Sequence, residues 1–545
     1  MFSFLNKEYT IAGSGFNRWL VPPAALAIHL CIGMAYGFSV FWLPLSKSLA
    51  VSQGLTEAIQ CGSEVGFFQE LFTTSCDWKI STLGWMYTLF FVFLGISAAL
   101  WGGWLERSGP RKAGVVSAIC WGGGMLISAF GIYTHQFWIM ILGSGVIGGI
   151  GLGLGYISPV STLIKWFPDR RGMATGMAIM GFGGGAMIGS PLAALLIKNF
   201  ATPTDVGVAK AFVVMGVIYI IYMLVGAMSY RIPATDWKPK GWTPPQKTTS
   251  NAMITTRSVH VKKIWGIPQF WLVWMVLMMN VSAGIGVIGM ASPMLQEVFA
   301  GKLMGLDLKF NDLDKSQLTT IAGIAAGFTA LLSLFNIVGR FFWASLSDKL
   351  GRKVTYTIFF ILGGLLYASV PSSANSGNLF AFVIAFGIIL SMYGGGFATI
   401  PAYLADLFGT QMVGAIHGRL LTAWSTAGIL GPVVVNYMRD YQLGLGMPKS
   451  QVYNQTMYIL VGMLFIGLIC NLLIKPVADK WFMSDAELAE EKRLAHEKSL
   501  ATVSNTSISN DQTTTLQIIL AWGFVGLPLA WGVYRTGLSA LKLFS

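Results

Sequence analysis

The 545-residue chain is 54% hydrophobic and only 11% charged, with a mean hydropathy of +0.64. Soluble domains carry about 25% charged residues, so a set of soluble domains is excluded and a membrane protein is indicated. The net charge of +13 does not point to nucleic acid, because the bases flank hydrophobic runs and read as topology signals.

A membrane span needs about 20 mostly apolar residues. Runs of that kind lie at 20–45, 81–104, 112–133, 136–160, 172–197 and 208–230, then at 267–293, 318–346, 354–371, 378–404, 414–437 and 455–474. These predict twelve spans in two sets of six. The first run is too long for the apolar part of a cleavable signal and lacks a small-residue cleavage site, so it is read as a retained span. A thirteenth run, 515–534, follows a polar tail. The predicted organisation is an N-terminal half (1–230), a linker rich in Pro, Thr and Lys (231–265), a C-terminal half (266–475), a polar tail (476–514) and an extra span (515–545). The long loop at 47–80 holds Cys61 and Cys76, candidates for a disulfide in an oxidising compartment. No Cys/His cluster resembles a metal site, and no cofactor is expected.

Two turns carry the same pattern. Gly102 through Lys112 follows span 2, and Ala344 through Lys353 follows span 8. In each a small residue is followed by an acid and a base, then by Gly and further bases. Short loops with Arg107, Arg111, Lys112, Lys349, Arg352 and Lys353 share one side of the predicted topology, whereas the loops around His135 and Ser372 carry no Lys or Arg. The Lys/Arg-rich side, with the N-terminus, is expected to be cytoplasmic. Glu106, Arg107, Arg111, Asp348, Lys349 and Arg352 are candidates for a gate that ties the two halves together; the plainer reading is topology marking.

Arg340 lies eight residues before Asp348, about 12 Å into the membrane at 1.5 Å per residue. A charge at that depth normally faces a cavity or a partner, although a long side chain can also reach back to the interface. Arg presents a planar, bidentate donor set that matches a carboxylate. No Asp or Glu lies mid-span in any of the twelve runs, so an anionic substrate is expected rather than a cationic one. His29 in span 1 is the candidate proton-linked group. Tyr36, Tyr393 and Trp424 are the expected cavity aromatics, the first two beside glycines that thin the helix wall.

These features resemble the major facilitator superfamily, and within it the oxalate/formate antiporter family. The resemblance is carried by Met34 through Phe41, by Gly155 through Pro159 with Lys165 through Gly172, by Asn336 through Arg340, and by Tyr393 through Pro401. It implies an all-α membrane protein with the major facilitator fold: twelve transmembrane helices in two six-helix halves, here with a thirteenth helix similar to a small accessory membrane subunit. It also implies that Arg340 pairs with substrate. The oxalate transporter of that family uses a span 11 lysine as a second cation, and Trp424 takes that place here. One cation fits a monocarboxylate such as pyruvate, lactate or formate better than oxalate. The expected protein is therefore a monomeric secondary transporter of a small carboxylate, coupled to protons or a counter-anion, in a bacterial inner membrane. A dicarboxylate exchanger and a non-transporting carboxylate sensor are the alternatives; an enzyme is not expected.

Overall fold

In the computed structural model, described for residues 3–61, 65–169, 171–234, 237–239, 241, 253–255, 257–409, 412–490, 493 and 512–544, thirteen helices are long and apolar enough to cross a membrane. The first six are α1 (Arg18–Leu45), α2 (Ile80–Gly102), α3 (Pro110–Tyr133), α4 (Phe137–Leu163), α5 (Gly176–Phe200) and α6 (Val208–Ser229). The second six are α7 (Pro268–Ile288), α8 (Lys315–Leu350), α9 (Arg352–Asn375), α10 (Leu379–Phe408), α11 (Ala415–Gly444) and α12 (Asn454–Leu473). The last, α13, spans Thr515–Phe544. Large apolar side chains such as Leu365, Phe380 and Phe465 are more than 60% exposed on the outside of the bundle, the surface a bilayer covers.

The repeat is visible in the backbone. Gly109 ends the segment after α2 with φ +90° and ψ 160°, and Gly351 ends α8 with φ +85° and ψ 150°. Only glycine reaches this region without strain, so the turn pattern is a backbone requirement as well as a charge pattern. We call the side carrying these turns the basic-turn face.

Two seams join the halves: α5 packs on α8, and α2 packs on α11. Glycines and serines line both. Ser425 Oγ donates to the carbonyls of Phe91 and Val92 at 3.1 and 3.2 Å, and Ser333 donates to the carbonyl of Gly183. Small side chains let these helix backbones approach closely. Span α1 is not a uniform α-helix, because Gly33–Phe41 winds as a 3-10 helix, an unusual length for that conformation.

The structure extends two elements past their predicted ends. After α7 the chain continues in a second helix, Ala291–Phe299, and α11 runs to Gly444 rather than 437. Helix α8 starts at Lys315, where Asp314 and Gln317 form a capping box through two 2.8 Å hydrogen bonds. Part of the linker is docked: Thr255 and Val259 donate backbone N–H groups to Asp406 and Phe408 at 2.8 and 2.9 Å. Of the predicted tail at 476–514, residues 491, 492 and 494–511 lie outside the described residues.

The direction of α13, which the charge rule leaves ambiguous, is set by its contacts. Asn17 N–H donates to Thr513 Oγ1 at 2.9 Å, and Trp522 Nε1 donates to the carbonyl of Trp19 at 3.1 Å. The helix therefore begins at the basic-turn face beside the start of α1. Tyr222 stacks on Phe524 at 4.2 Å. From there α13 runs across α5 and α8, covering the seam between the halves.

On the far face, the described residues of the loop after α1, 46–61 and 65–79, are folded. The Asp77 carboxylate accepts from the backbone N–H groups of Leu49, Ala50 and Ile59 at 2.7, 3.1 and 2.9 Å. Trp78 stacks on His135 at 4.1 Å, and Cys61 is disulfide-bonded to Cys76 across 15 residues. A loop of that length gives about 3 kcal/mol in the chain-entropy picture. Cys61→Ser/Cys76→Ser is expected to lower the melting temperature in detergent, and reductant is expected to lower it equally in wild type but not in the variant. An unchanged wild-type melting curve under reductant would count against the bond.

Candidate functional site

Arg340 is 1% exposed. Its Nε donates to Asn336 Oδ1, one helical turn earlier on α8, at 3.0 Å. Its Nη1 and Nη2 have no hydrogen-bond partner among the described residues. The guanidinium carbon lies 5.8 Å from the centre of the Phe397 ring, and its charge acts on Tyr36, Tyr156, Tyr393 and His29. No carboxylate pairs with it among the described residues. Burial of a charged donor without an acceptor costs several kcal/mol, so the N–H groups of Nη1 and Nη2 are left for an anion.

Around the arginine is a closed aromatic cage. Tyr36 from α1 and Tyr393 from α10 join through their hydroxyls at 2.7 Å, a bond between the halves. Trp424 from α11 contacts Phe397 at 4.4 Å, Tyr156 at 5.1 Å, Phe182 at 5.6 Å and Phe91 at 5.7 Å between ring centres. All of these side chains are at most 2% exposed, so the site is sealed from both faces. The Trp424 Nε1, the Asn336 Nδ2 and the hydroxyls of Tyr87 and Tyr156 are also buried without a hydrogen-bond partner. The cage thus collects unused donors, whereas buried polar groups are ordinarily satisfied. Phe91, Phe182 and Phe397 were not singled out by sequence; nothing in a Phe-rich chain marks which rings face inward.

His29 lies against the edge of this cage, with its ring 5.6 Å from Tyr156. Its Nε2 faces the Tyr156 carbonyl at 3.2 Å, and its Nδ1 faces the Ala178 carbonyl. A neutral imidazole donates only one of these bonds.

Comparison with known proteins places this geometry. The family model described as the Major Facilitator Superfamily matches residues 25–432 and 311–543. The chain belongs to that superfamily. As a facilitator it is 24% identical over 437 residues to the oxalate:formate antiporter of Oxalobacter formigenes, covering 78% of this chain and 87% of that one. It is 23% identical over 456 residues to apicoplast pyruvate carrier 1 of Toxoplasma gondii, covering 72% and 78%. The solved D-xylose-proton symporter shares its fold, with a TM-score of 0.55 at 14% identity over 84% of this chain and 96% of that one. The protein is a multi-pass facilitator-type transporter.

In this facilitator the described side chains of the two basic turns bind within their own halves. Arg111 donates to the carbonyl of Phe4 at 2.8 Å and to that of Tyr230, just past the end of α6, at 3.2 Å. Arg352 bonds Ser347 and Asp348 and lies 3.6 Å from Asp406. Lys349 is exposed, and the side chains of Glu106 and Arg107 lie outside the described ones. The hydrogen bonds seen between the halves among the described residues are neutral, and besides those already named they include Trp42 Nε1 to the Gly289 carbonyl and Trp85 Nε1 to the Tyr437 hydroxyl, both at 2.9 Å.

The facilitator also holds a buried ion pair that lay beyond the predicted span ends. Glu297, on the helix after α7, accepts from Arg439 Nε of α11 at 2.9 Å, from a second Arg439 nitrogen, and from the Tyr453 hydroxyl at 2.6 Å. Both charged residues are less than 10% exposed. Burial pushes the Glu297 carboxyl up, but Arg439 and the Tyr453 hydroxyl outweigh it and hold it below its ordinary value.

Proposed function

We propose that the protein is a secondary transporter of a small monocarboxylate, of the pyruvate, lactate or formate kind, working by alternating access between its two halves. The observation that carries this reading is the pair of unpartnered Arg340 Nη donors inside the sealed cage. They match the two oxygens of one carboxylate. Trp424, Tyr156 and Asn336 add neutral donors. No second Lys or Arg lines the cage among the described residues, which favours one carboxylate over two. The relatives' names, oxalate:formate antiporter and pyruvate carrier, support the substrate class.

In this reading the basic-turn face is cytoplasmic, the membrane is a bacterial inner membrane, the protein works as a monomer, and protons or a counter-anion supply the coupling. His29, with two carbonyls facing its ring, is the proton-carrying candidate. The basic turns remain gate candidates in this reading, exchanging their contacts within each half for pairs between the halves in another state of the cycle. Division of the chain at 231–265 gives the two moving bodies.

Counterflow in proteoliposomes tests the proposal. Labelled pyruvate, lactate, formate and oxalate are each offered against their unlabelled form. Saturable exchange of a monocarboxylate is expected, with oxalate at least about tenfold slower, a difference of about 1.4 kcal/mol. Oxalate as the best substrate moves the protein to dicarboxylate exchange, and no flux of any carboxylate overturns the reading in favour of a sensor.

A glycine on α5 gives a milder test. A methyl group on Gly183 would stand 2.8 Å from Arg340 Nε and 3.0 Å from Asn336 Oδ1. Gly183→Ala is expected to displace the guanidinium and raise the KM for the carboxylate by about tenfold or more, with little change in melting temperature because the side chain's end can shift. Wild-type uptake kinetics in that variant would show that Arg340 need not hold this position.

A further inference from the structure

A cleft of about 610 Å³ opens on the far face between α1 and α5 of one half and α8 of the other. Its walls are apolar, with Val40, Pro191, Leu195, Leu318 and Ile324 among them. Its rim carries Lys47, Lys198, Lys315 and Arg535. Among the described residues none of these four cations is in an ion pair. Among the described lining residues the one carboxylate is Asp205, which is paired with Lys210 at 3.1 Å.

Arg535 comes from α13. Twenty residues separate it from Thr515, about 30 Å of helix at 1.5 Å per residue, which is the thickness of the hydrocarbon layer. Since α13 starts at the basic-turn face, Arg535 reaches the opposite membrane interface, level with the ends of α5 and α8 that bear Lys198 and Lys315. Unneutralised cations gathered on this face run against the usual distribution of charge in membrane proteins. An apolar slot under a cationic rim, open at the level of lipid headgroups, is complementary to an amphipathic anion.

We propose that this cleft holds one anionic phospholipid, with an acyl chain between α5 and α8 and its phosphate at Lys198, Lys315 and Arg535. Helix α13 thereby serves as one wall of a lipid site at the seam of the two halves. The assignment does not depend on which solute the protein carries.

The test uses the full chain, purified in detergent and analysed by native mass spectrometry with added phosphatidylglycerol or phosphatidylcholine of identical acyl chains. Wild type is expected to retain phosphatidylglycerol at least about tenfold better. Lys198→Gln/Lys315→Gln/Arg535→Gln should bring the ratio close to one. Gly323, which lines the cleft and has open space where a side chain would begin, gives a second variant with every charge kept: Gly323→Phe should lower phosphatidylglycerol retention by filling the slot. If the triple variant does not fold, Gly323→Phe and Arg535→Gln decide the matter. Equal retention of the two lipids by wild type overturns the proposal. So does an unchanged ratio in the variants, or full competition by soluble glycerophosphoglycerol, which would show that the apolar slot plays no part.

Discussion

Arg340→Gln is expected to abolish carboxylate transport while leaving the empty protein as stable as wild type or more so. The two effects have opposite signs because the Nη groups have no acceptor in the empty site. Removing the guanidinium removes a buried, half-satisfied charge, and this offsets the loss of its packing against Phe397. Removing it also takes away a charge-assisted, two-point contact with substrate, worth about 3 kcal/mol or about 100-fold in affinity. Two measurements check this: counterflow in proteoliposomes, and melting temperature with and without substrate. Wild type should melt higher with substrate, and the variant should show no such shift. A variant that melts far below wild type without substrate would mean that Arg340 holds the fold together, and normal uptake by the variant would remove it from the site.

The largest loss of stability is expected at Glu297→Gln. The amide keeps the shape but leaves the Arg439 charge buried, with Asp440 at 3.0 Å as its remaining ionic partner among the described residues. Breaking one side of a buried pair costs about 3–5 kcal/mol. The double variant Glu297→Gln/Arg439→Met should regain about half of that or more, since no stranded charge remains. The pair joins elements of one half, so transport by the protein that does fold should keep its substrate KM. The pH dependence has a definite sign. The Glu297 carboxyl is held below its ordinary value of 4.5, so its contribution is fully present above that value and is lost only as pH falls through the folded value beneath it. Melting temperatures between pH 5 and 8 should therefore show no step from this group. A single variant that melts like wild type would mean the pair contributes nothing.

Legibility in the sequence differed from element to element, for physical reasons. The spans were readable because a bilayer demands long apolar runs, and Arg340 because one charge stands alone inside such a run. The repeated turns were readable because Gly109 and Gly351 need a backbone that other residues resist. Depth and neighbouring glycines point to Tyr36 and Tyr393, and the resemblance in span 11 points to Trp424; the structure sets the two tyrosines against each other and Trp424 against Phe397, the ring that faces Arg340. Phe91, Phe182 and Phe397 complete the same cage, yet hydropathy treats an inward phenylalanine and a lipid-facing one alike. Glu297 and Arg439 lie 142 residues apart, just past the points where the apolar signal fades, and only the packing of α11 against the end of α7 brings them together. The path of α13 over the α5–α8 seam was equally invisible, because an apolar helix carries no record of which groove it fills.

The 3-10 winding of Gly33–Phe41 gives α1 a length and a twist that an ordinary helix lacks. A 3-10 helix rises about 2.0 Å per residue against about 1.5 Å, so these nine residues are stretched by about 4–5 Å. It also turns about 20° further per residue, so a return to α winding that began at Gly33 would swing Tyr36 by about 60–80°. Such a swing takes the Tyr36 hydroxyl off Tyr393 and undoes the bond between the halves directly beside Arg340. The rewinding of a single segment can thus shorten α1, open the cage and break one of the bonds that join the halves in the same movement.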